Sequence, residues 1–218
     1  HVEKAPVSLR LSNQGKIYFP EDGYTKGDLL HFYEEAWPFI APYLRDRPVV
    51  LTRFPEGIHG KNFFQKNAPS FTPEWVETLR IEDTDYFVCN RLETLLHVIN
   101  SGAIPLHVWS ARKGTLDLPD WCLLDLDPKD APFAHVVTIA KLIRALCDEI
   151  ELPSFIKTSG STGLHVLIPV GRQCTYEQTR TLGGLLARLV AAELPDIATV
   201  TRLPSKREGK VYVDFVQN

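Results

Sequence analysis

Hydrophobic residues recur with the period of a helix in two long segments of the chain. Between residues 136 and 150, small or apolar residues lie three or four positions apart, which is the spacing of one face of an amphipathic helix. A second helix is predicted to begin at Thr175, because Gln178 follows three residues later and completes a capping box. Pro195 is expected to end this helix, since proline lacks a backbone N–H.

Two further helices are predicted in the first half of the chain. Thr25 is suited to cap a helix that follows it, and we expect Pro38, and again Pro42, to kink or end that helix. A shorter helix is expected over residues 91–101, where Gly102 closes it.

Short apolar runs between turn signals predict β-strands. The clearest run covers residues 121–126 and is bounded by Pro119 and Pro128. Other strands are expected at residues 104–109, 154–158, 164–169 and 211–216. Strands interleaved with helices predict an α/β or an α+β fold with helical cover over the sheet.

Composition narrows the class of protein. The 218 residues carry 24 basic and 27 acidic side chains, so a generally basic coat for nucleic acid is excluded and an anion site must be a local patch. The four cysteines lack zinc-type spacing, and we expect them to be reduced thiols. The sequence has no apolar run of the ~18 residues that a membrane span needs and no signal-peptide pattern, so a cytoplasmic location without membrane contact is expected.

Two aspartates, Asp125 and Asp127, come at the end of the apolar run over residues 121–126. Alternate residues of a strand share a face, so both carboxylates are expected to point the same way. A divalent cation would relieve their repulsion, and carboxylate oxygens suit Mg²⁺ or Mn²⁺. The alternative is a solvated strand end with an aspartate that caps the next helix.

The turn between the strands at residues 154–158 and 164–169 is rich in small residues. Its backbone N–H groups and hydroxyls can converge on a phosphate, and Lys157 and His165 flank it. It is not a Walker loop, because the Gly-Lys-Ser/Thr element is missing. A glycine-rich hairpin turn is the alternative.

Asp214 lies within the apolar run over residues 211–216, where a buried carboxylate needs a partner or a metal. A salt bridge to a neighbouring base such as Lys210 is the alternative. With Asp125, Asp127 and a phosphate-binding turn, Asp214 would complete a two-metal phosphoryl-transfer site. In such a site the cations activate a 3′-hydroxyl and neutralise the leaving pyrophosphate.

Residues 45–66 form a local basic stretch, with five basic and two acidic side chains. Phe63 and Phe64 lie within it, and aromatic rings beside cations favour binding of nucleic acid. A hydrophobic pair beneath a solvated basic loop is the alternative. His107 could face the same site, or it could simply be hydrogen-bonded within its strand.

Ordered motifs along nearly the whole chain resemble the polymerase domain of bacterial DNA ligase D and its stand-alone relatives, which are end-joining polymerases of the archaeo-eukaryotic primase superfamily. The motifs are Leu11 to Asn13, Lys16 to Pro20, Thr25 to Asp28, Phe63 to Lys66, His107 to Trp109, Leu124 to Pro128, Ser159 to His165 and Gly209 to Asn218.

The resemblance implies an archaeo-eukaryotic primase-like fold, in which two β-sheet modules with helical cover form a central cleft. We expect residues 1–218 to be one polymerase domain that is truncated at its C-terminus. The expected activity is addition of nucleotides, preferably ribonucleotides, to a 3′ end during non-homologous end joining, with two Mn²⁺ or Mg²⁺ ions per site. Expected partners are DNA breaks with a 5′-phosphate and a 3′-overhang, NTP or dNTP, a DNA ligase and Ku; nucleoid association would follow.

The resemblance also assigns roles to residues. The metal-binding, catalytic carboxylates are Asp125, Asp127 and Asp214. The nucleotide-binding residues are His107, Lys157, Ser159, Gly160, Ser161, Thr162, His165 and Lys210. The DNA-binding residues are Lys16, Lys26, Arg53, Phe63, Phe64 and Lys66, of which Lys16, Lys26 and Arg53 are expected near a 5′-phosphate.

The sequence leaves three other functions to consider. A primase that starts chains de novo would need an initiating-nucleotide site, often with a zinc module, and the cysteine spacing shows none. A non-catalytic module that binds DNA ends is disfavoured by the three aspartates. A metal-dependent nuclease would leave the phosphate-binding turn without a role.

Overall fold

The structure is a computed structural model that describes residues 6–218, and it contains two compact units that divide after Gly114. Each unit has its own five-stranded sheet and its own hydrophobic core, and the first unit also contains a two-stranded sheet. The prediction of an α+β fold built from two sheet modules with helical cover is confirmed.

The first unit is built around β3, which pairs antiparallel with β4, β6 and β7. Its elements are β1 (Ile17–Phe19), β2 (Tyr24–Thr25), α1 (Lys26–Leu44), β3 (Pro48–Arg53), β4 (Phe63–Gln65), β5 (Thr78–Ile81), β6 (Thr84–Val88), α2 (Leu92–Asn100) and β7 (Ala103–Val108). Val49 and Leu51 of β3 are fully buried with residues of α1 and α2.

We expected Pro38 and Pro42 to kink or end the first helix, and the expectation of an end is wrong, because α1 continues through both prolines to Leu44. Both prolines lie on exposed positions, whereas Leu30 and Leu44 are buried at either side of them. Core packing along the helix therefore outweighs the lost hydrogen bonds of the prolines. The predicted cap is confirmed, because Thr25 forms a capping box with Asp28. The β5–β6 hairpin was not predicted.

The second unit has a five-stranded sheet in the order β11-β12-β8-β10-β9. Its elements are β8 (Trp121–Asp127), α3 (Phe133–Glu149), β9 (Phe155–Thr158), β10 (Leu164–Pro169), α4 (Tyr176–Glu193), β11 (Ala198–Thr199), a 3₁₀ turn (Pro204–Lys206) and β12 (Val211–Asp214). Neighbouring strands are antiparallel except β11 and β12, which are parallel.

Burial alternates along β8 and β10, as expected for a sheet with one face against helices. Leu124 and Leu126 are completely buried with apolar residues of α3 and α4, and Val166 and Ile168 of β10 join the same core. Side chains at the intervening positions therefore share the other face of the sheet. Within residues 6–218, no helix has the length and apolar character to cross a membrane.

Candidate active site

Three aspartates lie together on the face of the second sheet that points away from its helices. Asp125 of β8 is directly opposite Asp214 of β12, and Asp127 lies two residues further along β8. Directly opposed residues in antiparallel strands have Cβ atoms about 4.5–5.5 Å apart. The expectation that Asp125 and Asp127 point the same way is confirmed, and the register brings Asp214 to the same place.

The acid–base equilibrium of Asp125 is shifted by its surroundings. Burial, followed by the negative charges of Asp214 and Asp127, raises the pKa of Asp125 to about 6, and Lys157 opposes this shift. A carboxylate that is crowded by like charges in this way would be stabilised in its ionised form by a cation.

Asp127 is held by a cation from the loop before β12. Arg207 Nη1 donates to Asp127 Oδ2 at 2.7 Å, and the guanidinium lies over the Tyr212 ring at 4.3 Å. Arg207 Nη2 also donates to the carbonyl of Arg202. The alternative of a helix-capping aspartate is wrong for Asp127, because α3 follows Pro132.

Asp214 accepts hydrogen bonds from its own strand and from the segment after it. Tyr212 Oη donates to Oδ1 at 3.1 Å, the Val216 N–H donates to Oδ1 at 2.8 Å, and Gln217 Nε2 donates to Oδ2 at 3.2 Å. The predicted alternative, a salt bridge to Lys210, is not formed among the described residues, since Lys210 pairs with Glu208 at 3.7 Å.

Asp214 and Asp125 are the first two members of a row of side chains that crosses the sheet, and two more members follow beyond Asp125. His165 of β10 is opposite Asp125, and Lys157 of β9 is opposite His165. His165 Nε2 lies 3.5 Å from Asp125 Oδ1, and Lys157 Nζ lies 3.5 Å from His165 Nδ1. Burial and the adjacent Lys157 charge lower the pKa of His165 to about 4, so the imidazole is neutral near pH 7.

The Ser159–Gly163 turn begins where β9 ends and is closed by its own side chain. Ser159 Oγ accepts hydrogen bonds from the backbone N–H groups of Ser161 and Gly163. Gly160 adopts a positive φ of 89°, which suits glycine. Ser161 and Thr162 are exposed, so their hydroxyls can reach a ligand.

Gly163 joins this turn to the aspartates. A Cβ at Gly163 would lie 2.0 Å from the carbonyl oxygen of Leu126, the residue between Asp125 and Asp127. Only glycine therefore allows the turn to approach β8 so closely.

The donor set fits a hard divalent cation that a substrate helps to hold. Among residues 6–218, no three carboxylate, imidazole or thiol groups converge as a ready-made metal cage. Mg²⁺ needs no such cage, because it usually keeps several waters and is bound through one or two carboxylates together with substrate phosphates. Burial, together with the crowding by Asp214 and Asp127, raises the pKa of Asp125, and this observation favours a cation here.

In the first unit, three of the predicted DNA-binding cations influence one another. Burial, followed by the positive charges of Lys16 and Arg53, lowers the pKa of Lys26. Lys26 Nζ is nearly buried and donates to the carbonyl of Ser12 at 2.7 Å, while Lys16 pairs with Glu56. Arg53 donates to the carbonyl of Ser101 and to Gln65. These side chains form a cationic cluster that a phosphate would stabilise.

Phe63 and Phe64 lie on opposite faces of β4, as successive residues of a strand must. Phe63 is opposite Arg53, whose guanidinium lies 5.2 Å from the ring centroid. Phe64 is opposite Thr52 and lies 5.7 Å from the ring of His107. Both rings are strongly exposed. The two phenylalanines therefore belong to two different surfaces.

His107 and Lys66 are the other predicted site residues of the first unit. His107 Nε2 lies 2.8 Å from Thr52 Oγ1, and burial lowers the pKa of the imidazole. Lys66 is exposed at the end of β4.

Sequence reasoning missed the roles of Arg207 and Gly163. Arg207 lies 80 positions from Asp127 in the chain, so no local spacing links the two residues. The basic cluster Lys206-Arg207 just before the strand of Asp214 was the available signal. For Gly163, the available signal was its position at the end of the glycine-rich turn, immediately before the predicted strand over residues 164–169.

Comparison with known proteins identifies relatives along the whole chain. A family model described as "LigD, primase-polymerase domain" matches residues 25–218. The "Bifunctional non-homologous end joining protein LigD" of Bacillus subtilis is 30% identical over 100% of this chain and 36% of that protein. The "Multifunctional non-homologous end joining protein LigD" of Pseudomonas aeruginosa is 30% identical over 98% of this chain and 26% of that protein.

A solved structure is similar over nearly the same range. The "Polymerase Domain from Mycobacterium tuberculosis Ligase D in complex with DNA" has a TM-score of 0.88 and 27% identity, covering 96% of this chain and 78% of that chain. The predicted archaeo-eukaryotic primase-like fold is thereby confirmed. The chain spans 36% and 26% of the length of the two curated relatives described above.

Proposed function

The chain belongs to the family of LigD primase-polymerase domains, and on that premise we propose that it is a nucleotidyltransferase that binds DNA ends. It adds nucleotides, preferably ribonucleotides, to a 3′ end during non-homologous end joining. The observation that carries this proposal is the register that puts Asp214 directly opposite Asp125, with Asp127 on the same face.

Asp125, Asp127 and Asp214 would hold two Mn²⁺ or Mg²⁺ ions, which when bound activate the primer 3′-hydroxyl and neutralise charge on the leaving pyrophosphate. The Ser159–Gly163 turn would bind the triphosphate through its exposed hydroxyls and the N–H of Gly160. Lys157 would add a positive charge at the start of that turn. His165 would fix the position of Lys157 relative to Asp125, because it lies between them in the row.

Binding of the DNA end is proposed for the first unit. The cationic cluster of Lys16, Lys26 and Arg53 would hold a 5′-phosphate at the break, since clustered ammonium and guanidinium groups favour a phosphate dianion. The exposed rings of Phe63 and Phe64 would stack on bases or on the end of the duplex. His107, next to Phe64, is proposed to contact the incoming nucleotide, and Lys66 the DNA backbone.

The biological setting is proposed from the names of the relatives. Because the curated relatives are end-joining proteins, we propose that this domain acts at double-strand breaks in the cytoplasm, together with a DNA ligase and Ku. Residues 1–218 are proposed to act as one polymerase domain.

The test is extension of a 3′-overhang that faces a recessed 5′-phosphate, with NTP and dNTP compared in Mn²⁺ and in Mg²⁺. The wild type is expected to extend the primer, and NTP is expected to be used faster than dNTP. Asp125→Ala is expected to abolish extension, whereas Asp196→Ala, an exposed aspartate outside the row, retains it. Extension by Asp125→Ala at the wild-type rate would contradict the proposal.

A second assay separates this function from a primase that starts chains de novo. Circular single-stranded DNA offers no 3′ end, so an end-joining polymerase makes no dinucleotide from NTP on it. Dinucleotide synthesis on the circle would favour the primase, and DNA binding without any incorporation in Mn²⁺ would favour a non-catalytic module.

A further inference from the structure

Lys157 of the second unit lies beside the phosphate-binding turn and also close to the aspartates, from which only His165 separates it. It is on β9, the edge strand, in the same row as His165, Asp125 and Asp214. Adjacent strands are about 4.8 Å apart, so Lys157 and Asp125, two strands apart, have backbones about 10 Å from each other. The side chain closes that gap, because only the imidazole of His165 separates Nζ from the Asp125 carboxylate.

The hydrogen bonds of this row orient the ammonium group. An ammonium can only donate, so His165 Nδ1 must accept from Lys157 Nζ, and the imidazole proton is on Nε2, facing Asp125. Lys157 Nζ also donates to the carbonyl of Thr158 at 2.8 Å. Two of its three N–H bonds are thus directed to fixed protein acceptors, and the third is available to a ligand.

Lys157 forms no direct ion pair with a carboxylate among the described residues, although its charge interacts with that of Asp125. Across the part of the chain that the structure describes, no Asp or Glu oxygen lies within 4.0 Å of Lys157 Nζ. Partial burial lowers its pKa, and the negative charge of Asp125 opposes that shift; the net lowering makes the ammonium a better acid. The strand of Lys157 continues directly into the Ser159–Gly163 turn, so phosphates bound by the turn would lie beside Nζ.

We propose that Lys157 is the general acid that protonates the leaving pyrophosphate. This inference rests on the proposed function, because it concerns the same nucleotidyl transfer. The primer 3′-oxygen forms a bond to the α-phosphorus, and the bond from the α-phosphorus to the oxygen bridging to the β-phosphorus breaks. The electron pair of the broken bond stays on that oxygen, which takes one proton from Lys157 Nζ.

The proton balance closes through solvent. Lys157 becomes a neutral amine as pyrophosphate gains the proton, and solvent reprotonates the amine after the product leaves. The proton of the primer hydroxyl is lost separately, to water.

The other cations around the aspartates are less suited to this step. Arg207 holds Asp127, and a guanidinium does not give up its proton in proteins. Lys210 is paired with Glu208. His165 is positioned to support Lys157 and has no second proton to give in its neutral form.

Lys157→Arg separates charge from acidity, because it keeps a positive hydrogen-bond donor that cannot deprotonate. Single-turnover incorporation would be measured with three substrates: the natural triphosphate, its β,γ-difluoromethylene analogue, which has a better leaving group, and its β,γ-methylene analogue, which has a poorer one. Equilibrium binding of an α,β-methylene triphosphate in the same buffer gives a readout independent of turnover. Lys141→Arg, an exposed lysine of α3, is the matched control.

We expect Lys157→Arg to bind the α,β-methylene triphosphate within about threefold of the wild type. Its incorporation rate with the β,γ-methylene analogue should fall roughly 10²–10⁴-fold, the range of general acid catalysis. The loss should be smallest with the difluoromethylene analogue, and the solvent deuterium isotope effect should decrease. Lys141→Arg should match the wild type in every measurement.

Two results would overturn the inference. If Lys157→Arg incorporates all three substrates at wild-type rates, Lys157 transfers no proton. If it loses rate equally with all three and binds the triphosphate more weakly, Lys157 is only a phosphate ligand. If instead the wild type extends no primer, it is the proposed function that fails. The melting temperature of each variant would be measured first. If Lys157→Arg does not fold, Lys157→Gln is used with the solvent deuterium isotope effect as its readout, because glutamine removes the charge as well as the proton; an isotope effect equal to that of the wild type would then overturn the inference.

Discussion

Arg207 Nη1 and Asp127 Oδ2 form an ion pair of 2.7 Å in which the two partners differ greatly in exposure. The side chain of Arg207 is 9% exposed and that of Asp127 is 43% exposed. The guanidinium also stacks on Tyr212, so its position is fixed by three separate contacts. Loss of the carboxylate would leave a buried cation without its charged partner, which costs free energy.

Asp127→Ala is therefore expected to destabilise the metal-free protein. The loss of a charged hydrogen bond costs about 1.5–3 kcal/mol, and the exposed side of the pair brings the value toward the lower end. Urea unfolding at pH 7.5 with EDTA would measure it, with Asp196→Ala as the control. An unchanged free energy of unfolding would mean that Arg207 does not depend on Asp127.

Asp125→Asn is expected to stabilise the metal-free protein at neutral pH. The pKa of Asp125 is raised to about 6, above the value near 3.9 of an unfolded chain, so the folded state binds the proton more tightly. By linkage, the stabilisation that comes from the protonated Asp125 is fully present below about pH 4 and is lost as the pH rises through about 6. Above that range the ionised carboxylate disfavours folding, and asparagine removes this cost.

Thermal melts would test that expectation. At pH 8 in EDTA, Asp125→Asn should melt a few degrees above the wild type, and at pH 4 the difference should vanish. Mn²⁺ should raise the melting temperature of the wild type at pH 8 and have little effect on the variant. A variant that melts below the wild type at pH 8 would contradict the expectation that burial and the charges of its neighbours destabilise ionised Asp125.

Local patterns predicted much of this site, and long-range pairing supplied the rest. Strand alternation is enough to put Asp125 and Asp127 on one face. The register of β12 against β8, which brings Asp214 opposite Asp125, joins strands far apart in the chain and leaves no local trace. The same holds for Arg207, whereas Pro38 misled the prediction because tertiary packing of α1 outweighs a local rule.

Gly163→Ala should damage the turn beside the aspartates. The added Cβ would meet the carbonyl oxygen of Leu126 at 2.0 Å, and backbone atoms cannot move aside cheaply. We expect a loss of about 1–3 kcal/mol in stability, with weaker triphosphate binding. Gly15→Ala is the control for stability, because nothing lies within 4 Å of its added Cβ. Equal unfolding curves for the two variants would contradict the close approach.

Phe63→Ala and Phe64→Ala should weaken different functions, because the rings lie on opposite faces of β4. Phe63 is beside Arg53, so its loss should lower affinity for 5′-phosphorylated ends by about 1–3 kcal/mol. Phe64 is beside His107, so its loss should raise the KM for the nucleotide. Fluorescence anisotropy and steady-state extension would separate the two effects. Identical defects in both variants would show that the two rings act on one ligand.

Lys26→Met tests the cationic cluster of Lys16, Lys26 and Arg53. Lys26 is nearly buried among like charges, so an apolar side chain of similar length should leave the fold intact. Affinity for a recessed 5′-phosphate should fall, while affinity for a 5′-hydroxyl end should change little. The slope of log K against log salt should become shallower by about one. The pKa of Lys26 is lowered, so its ammonium loses its charge at a lower pH than that of an ordinary lysine. The preference of the wild type for the 5′-phosphate should therefore weaken as the pH rises through that lower value. The exposed Lys61→Met is the matched control, and an equal loss on both ends would contradict a phosphate-specific role.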